Sequence, residues 1–73
     1  MTLQQLKYVT TVAETGTITD AAAELYISQP SLTSAIQQLE KEMNIVIFPR
    51  TNKGITPSRE GEVFLAYARQ VLE

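Results

Sequence analysis

Between Thr2 and Thr15 the apolar positions fall at Leu3, Leu6, Val9, Val12 and Ala13, which is a helical period. The pattern predicts a first helix there, capped by Thr2 and closed by Gly16. A second, shorter helix is predicted from Thr17 or Thr19 through Ala21, Ala22 and Ala23 to about Leu25, with Thr17 and Asp20 as a weak capping box. Its small alanines permit another helix to approach closely. Tyr26-Ile27-Ser28 interrupts the period, and a third helix begins with Ser28 as N-cap and Pro30 in the first turn, where a missing N–H does no harm. Leu32, Ala35, Ile36, Leu39 and Met43 then form one apolar stripe, predicted to face the core, and Asn44 is a left-handed stop.

After Asn44 the period changes. Ile45-Val46-Ile47-Phe48 is short, β-branched and apolar, and predicts a strand; Thr51-Asn52-Lys53-Gly54 is turn chemistry, and Ile55-Thr56 is the predicted returning strand. Pro57 ends that ribbon. Ser58 can cap a fourth helix from Arg59, carrying Val63, Phe64, Tyr67, Ala68, Val71 and Leu72. No glycine, asparagine or proline follows in Arg69–Glu73, so the helix is expected to run on past the last residue. The predicted fold class is mainly α, a winged helix-turn-helix: a three-helix core, a two-stranded β wing and a C-terminal linker helix. The expected organisation is a domain over 1–58, with the helix-turn-helix at about 18–37 and the wing at about 45–57, followed by the start of a linker helix over 59–73.

Size and composition narrow what such a fold can do. Seventy-three residues without cysteine or histidine give a thin core and no disulfide or usual zinc ligand set to supplement it. Nothing reads as a signal peptide or a membrane span, which points to a cytoplasmic protein with no membrane partner. A net charge of −2 is unusual for a nucleic-acid binder, but its distribution matters more than its sum. From Leu25 to Leu39 there is no charge of either sign, and from Met43 to Arg59 the charges are Arg50, Lys53 and Arg59, with no acid.

With the apolar stripe turned inward, the third helix presents Pro30, Thr33, Ser34, Gln37 and Lys41 outward, flanked by Gln29, Ser31 and Gln38. Gln can pair bidentately with adenine, and Ser or Thr can bond to bases or phosphates. The end at Ser28 adds backbone N–H groups and a helix dipole suited to phosphate. In the wing, Arg50, Asn52 and Lys53 are the candidate DNA contacts, although Arg50 follows Phe48-Pro49 and can equally brace the ribbon. Tyr8, Tyr26 and Tyr67 are expected to be packing residues.

The run Ala22…Leu25-Tyr26-Ile27-Ser28-Gln29-Pro30-Ser31-Leu32-Thr33…Ile36…Leu39-Glu40 resembles the helix-turn-helix of LysR-type transcriptional regulators. Ile47-Phe48-Pro49-Arg50 resembles that family's wing segment, and Thr56–Gly61 with Tyr67-Ala68-Arg69 resembles the start of its linker helix. The resemblance implies a transcription regulator that binds dyad-symmetric promoter DNA as a homodimer, commonly assembled into tetramers, with RNA polymerase as a candidate further partner. It implies DNA contacts at Gln29, Pro30, Ser31, Thr33, Ser34 and Lys53, and a dimer interface through the fourth helix, for which Val63, Phe64, Tyr67, Ala68 and Val71 are the candidates. No cofactor is expected in this domain; a small-molecule effector is expected in a C-terminal domain outside the chain. Three positions depart from the family pattern: Ser34 stands where arginine is frequent, Thr33 where serine is usual, and Asn44 where glycine is common. The first removes a guanine contact and shifts reliance to Gln29, Gln37, Thr33 and DNA shape.

An enzyme is disfavoured, because nucleophilic and metal chemistry lack their parts. A winged helix used only for protein contact is the stronger competitor, given the acidic balance.

Overall fold

The computed structural model describes residues 1–49 and 54–73; Arg50, Thr51, Asn52 and Lys53 lie outside the described residues. Four helices follow one another: α1 (Leu3–Thr15), α2 (Ile18–Leu25), α3 (Gln29–Met43) and α4 (Arg59–Leu72). Each begins where a hydroxyl can take up an orphan N–H. Thr2 accepts from Gln5 N–H while the Gln5 side chain accepts from Thr2 N–H, a complete capping box. Thr17, Ser28 and Ser58 accept from the N–H groups of Asp20, Ser31 and Gly61.

The first three helices end in left-handed residues, Gly16 (φ 84°), Tyr26 (φ 58°) and Asn44 (φ 56°). After α2, Tyr26 N–H reaches the Ala23 carbonyl and Ile27 N–H the Ala22 carbonyl. Asn44 and Ile45 repeat that pattern onto Lys41 and Glu40 at the end of α3. The turn between α2 and α3 is therefore hydrogen-bonded.

α1 lies at the centre, packed on α2, α3 and α4. Its buried Leu6, Val9 and Val12 meet Ala21 and Ala22 of α2, Leu32, Ile36 and Leu39 of α3, and Phe64, Leu65 and Ala68 of α4 in one apolar cluster. Thr10 and Thr11 are also buried, and both hydroxyls donate to the Lys7 carbonyl, so their burial leaves no orphan group.

Four expectations are corrected. Among the described residues there is no strand: Ile45–Phe48 and Ile55–Thr56 are irregular. The backbone groups a ribbon would need are already taken. Ile47 and Phe48 N–H donate to the Glu40 carboxylate, the Ile47 carbonyl accepts from Ser58 N–H, and Ile55 N–H donates to the Gly16 carbonyl. Ile47 itself is a fully buried plug in the core. Met43 is 38% exposed, because the apolar cluster ends one turn earlier, at Leu39. Tyr26 is no packing residue; it is 94% exposed. Tyr8, by contrast, is partly buried against the core, and half-exposed Tyr67 leans on Phe64 with ring centroids 6.4 Å apart.

Candidate nucleic-acid interface

The outer face of α3 is set by its inner one. With Leu32, Ile36 and Leu39 buried, the residues left outward are Gln29, Pro30, Ser31, Ser34 and Gln37, all exposed, with Thr33 half-buried between them. Gln29, Pro30, Thr33 and Ser34 together line an open depression on this face. Thr33 and Gln37 also border a second concavity, shared with Ile18 of α2 and with Phe48 and Ile55. Phe48 and Ile55 flank the stretch that holds Arg50, Asn52 and Lys53, so the roots of that stretch adjoin the polar face of α3. The three candidate contacts themselves fall outside the described residues.

The start of α3 is more particular than a bare helix N-terminus. Ser28 Oγ accepts from Ser31 N–H at 3.2 Å and donates to Ser31 Oγ at 2.8 Å. That donated proton occupies one lone pair of Ser31 and leaves the Ser31 proton for an acceptor outside the protein, such as a phosphate or base oxygen. Pro30 has no N–H, and Leu32 N–H already bonds the Ser28 carbonyl. Of the backbone donors in the first turn of α3, that of Gln29 remains for a phosphate among the described residues. Side chains therefore carry most of the donor capacity of this face.

α4 carries two stripes. Gly61, Phe64, Leu65 and Ala68 are buried and face α1, whereas Val63, Tyr67 and Val71 are exposed, Val63 at 70%. Phe64 and Ala68, named as dimer candidates from the sequence, thus serve the core of this chain. The exposed stripe continues into an open apolar groove with Met43 and Ile45 at the end of α3. Leu65, which was not singled out in the sequence, is 1% exposed; its i, i+4 relation to Gly61 and Ala68's i+3 relation to Leu65 were the available signals. Glu40 was quoted in the sequence only as part of the helix-turn-helix resemblance, with no role given, and its carboxylate ties α3 to the segment that follows.

No group of residues that could hold a metal ion and no helix long and apolar enough to cross a membrane occurs among the described residues.

Comparison with known proteins agrees with this architecture. The model of a family described as bacterial regulatory helix-turn-helix protein, lysR family, matches residues 3–62. The HTH-type transcriptional regulator ClcR of Pseudomonas putida is 44% identical over 72 residues, which cover 99% of this chain and 24% of that protein. The nitrogen assimilation regulatory protein nac of Klebsiella aerogenes is 38% identical over 72 residues, 99% of this chain and again 24% of that protein. The chain thus spans about a quarter of the length of these relatives. Among solved structures, the CbnR_DBD–DNA complex superposes with a TM-score of 0.93 at 40% identity, covering 99% of this chain and 83% of that one. The complex of BenM_DBD with benA site 1 DNA gives 0.95 at 38% identity, covering 99% and 84%.

Proposed function

Because the chain belongs to the lysR family of bacterial regulatory helix-turn-helix proteins, we propose that it is the DNA-reading domain of a cytoplasmic transcription regulator, with α3 in the major groove and two copies on a dyad-symmetric promoter site. The observation that carries this reading is the outer face of α3: uncharged, exposed Gln29, Ser31, Ser34 and Gln37, with Thr33 among them, on one surface with the roots of the 50–53 stretch. Gln29 and Gln37 are its adenine readers, Thr33 and Ser34 its smaller base or phosphate contacts, and Ser28 aims Ser31 at an acceptor. Arg50, Asn52 and Lys53 supply the adjoining backbone or minor-groove contacts.

The second copy is held through the exposed stripe of α4, Val63, Tyr67 and Val71, where burial of apolar surface favours association. Tetramers and contact with RNA polymerase belong to the whole regulator, as does the small-molecule effector; this domain needs no cofactor and catalyses no reaction.

The test is fluorescence anisotropy on a dyad-symmetric promoter fragment and on random DNA at several salt concentrations. Affinity should fall linearly on a log–log plot with salt, in proportion to the phosphates neutralised. Gln29→Ala should weaken cognate binding by roughly 5- to 150-fold, the equivalent of a bidentate base contact of about 1–3 kcal/mol, and leave random-sequence binding nearly unchanged. Salt-independent, sequence-blind binding would instead support a protein-contact module, the reading that the net charge of −2 favours.

A further inference from the structure

The backbones of α3 and α4 do not approach one another closely; both pack on α1. Their direct polar link among the described residues is the short segment Val46–Phe48. On one side, Glu40 Oε2 of α3 accepts Ile47 N–H at 2.7 Å and Phe48 N–H at 3.1 Å. On the other, the Ile47 carbonyl accepts Ser58 N–H at 2.8 Å, and the Ser58 hydroxyl donates to the Val46 carbonyl at 2.5 Å while accepting from Gly61 N–H at 2.9 Å. Ser58 is the N-cap of α4, so the strap ends on the first turn of that helix.

Resting on the proposed dyad reading, we infer that Glu40 is a positioning residue that sets the angle between the reading helix and the dimerising helix, and so the spacing of half-sites that two copies accept. Apolar packing on α1 fixes how far apart α3 and α4 lie, but it is non-directional and tolerates rotation. Hydrogen bonds are directional and lock the remaining degree of freedom. Glu40 is half-buried at the inner end of the concavity that Thr33 and Gln37 also border, and a single carboxylate oxygen takes both N–H groups. It needs no DNA contact to act. A half-site displaced by one base pair moves by about 3.4 Å and rotates by about a tenth of a turn, so an error in the α3–α4 angle is read out as a spacing error.

The experiment measures binding of the full-length protein to dyad sites whose central spacer is varied one base pair at a time, and to an isolated half-site. Wild type should show a sharp optimum. Glu40→Ala should weaken the preference for that optimum over other spacings by roughly 2- to 30-fold, the range of energetic coupling a linking residue can modulate, with half-site affinity unchanged. Glu40→Gln keeps an oxygen in place and should restore the optimum. An unaltered optimum in Glu40→Ala overturns the inference. So does an equal loss on every spacing and on the half-site, because Glu40 would then only stabilise α3. A wild-type protein indifferent to spacing overturns the dyad reading itself, and the inference with it. Amide exchange covers the case in which Glu40→Ala is too unstable to assay: rapid exchange of Ile47 and Phe48 N–H in folded wild type refutes the strap.

Discussion

Gly61 is the position where the packing of α4 admits least. A Cβ built there would lie 2.4 Å from the Ile47 carbonyl oxygen and 3.0 Å from Ile47 Cα. A carbon–oxygen contact settles no closer than about 3.3 Å, so Gly61→Ala demands a displacement approaching one ångström. The obstacle is backbone, and it is tied down: Ile47 is fully buried, its N–H is held by Glu40 and its carbonyl by Ser58. Alanine would gain about 1 kcal/mol over glycine in an unobstructed helix. Against that stand about 1–3 kcal/mol for forcing atoms into a packed site and about 1 kcal/mol for each strained hydrogen bond. With one of the two Ile47 hydrogen bonds strained, the net is a loss of about 1–3 kcal/mol. A domain of this size loses about 4–8 °C of Tm per kcal/mol, so the thermal midpoint followed by circular dichroism should drop by roughly 5–20 °C. Glu62→Ala, one residue on and exposed, is the control and should change little. A Gly61→Ala variant that melts at or above wild type would refute the close approach of α4 to the strap.

Two further outcomes test other parts of the structure. Tyr26→Gly should stabilise the domain by about 0.5–1 kcal/mol, because the left-handed backbone disfavours a side chain that the fold leaves 94% exposed; a lower urea midpoint would show that the ring has a partner within the chain. Tyr67→Asp or Val63→Asp should shift the monomer–dimer balance toward monomer in sedimentation equilibrium with the helical signal intact, whereas Phe64→Asp, which buries a charge in the core, should abolish that signal. Dimers undiminished by Tyr67→Asp and Val63→Asp would move the interface off this stripe.

What could be read from the chain was what local chemistry decides. Thr2, Ser28 and Ser58 were legible as caps, and Gly16 and Asn44 as stops, because capping is settled within four residues by a side chain and its own backbone. The third helix's outer face followed once Leu32, Ile36 and Leu39 were turned inward. Ile45–Phe48 was misread for the converse reason. Its β-branched run has the composition of a strand, but the partners of its backbone are Glu40 and Ser58, seven and eleven residues from Ile47, and no local pattern announces a carboxylate that takes two backbone donors. The two stripes of α4 were blurred similarly: Phe64 and Tyr67 are both aromatic, and only the position of α1 decides that one is core and the other surface.

The electrostatics of the proposed reader bear on how it discriminates. The sequence-independent part of DNA affinity scales with phosphates neutralised, and α3 from Gln29 through Leu39 contributes no cation to it. Within the segment from Leu25 to Arg59, the cations are Lys41, Arg50, Lys53 and Arg59. On the proposed reading, binding to random DNA should therefore be weak in a single copy, while the base contacts proposed for Gln29 and Gln37 would form only at matching bases. A small non-specific background raises the ratio of specific to non-specific binding, at the expense of absolute affinity. Two linked copies recover that affinity, since the second half-site is then met at an effective concentration set by the geometry of the dimer rather than by bulk protein. The gain exists only where both α3 helices can seat at once. For a reader this lightly charged, the proposed role of the α3–α4 angle would extend from spacing to affinity, which would put the Glu40–Ile47–Ser58 strap among the determinants of which promoters are bound.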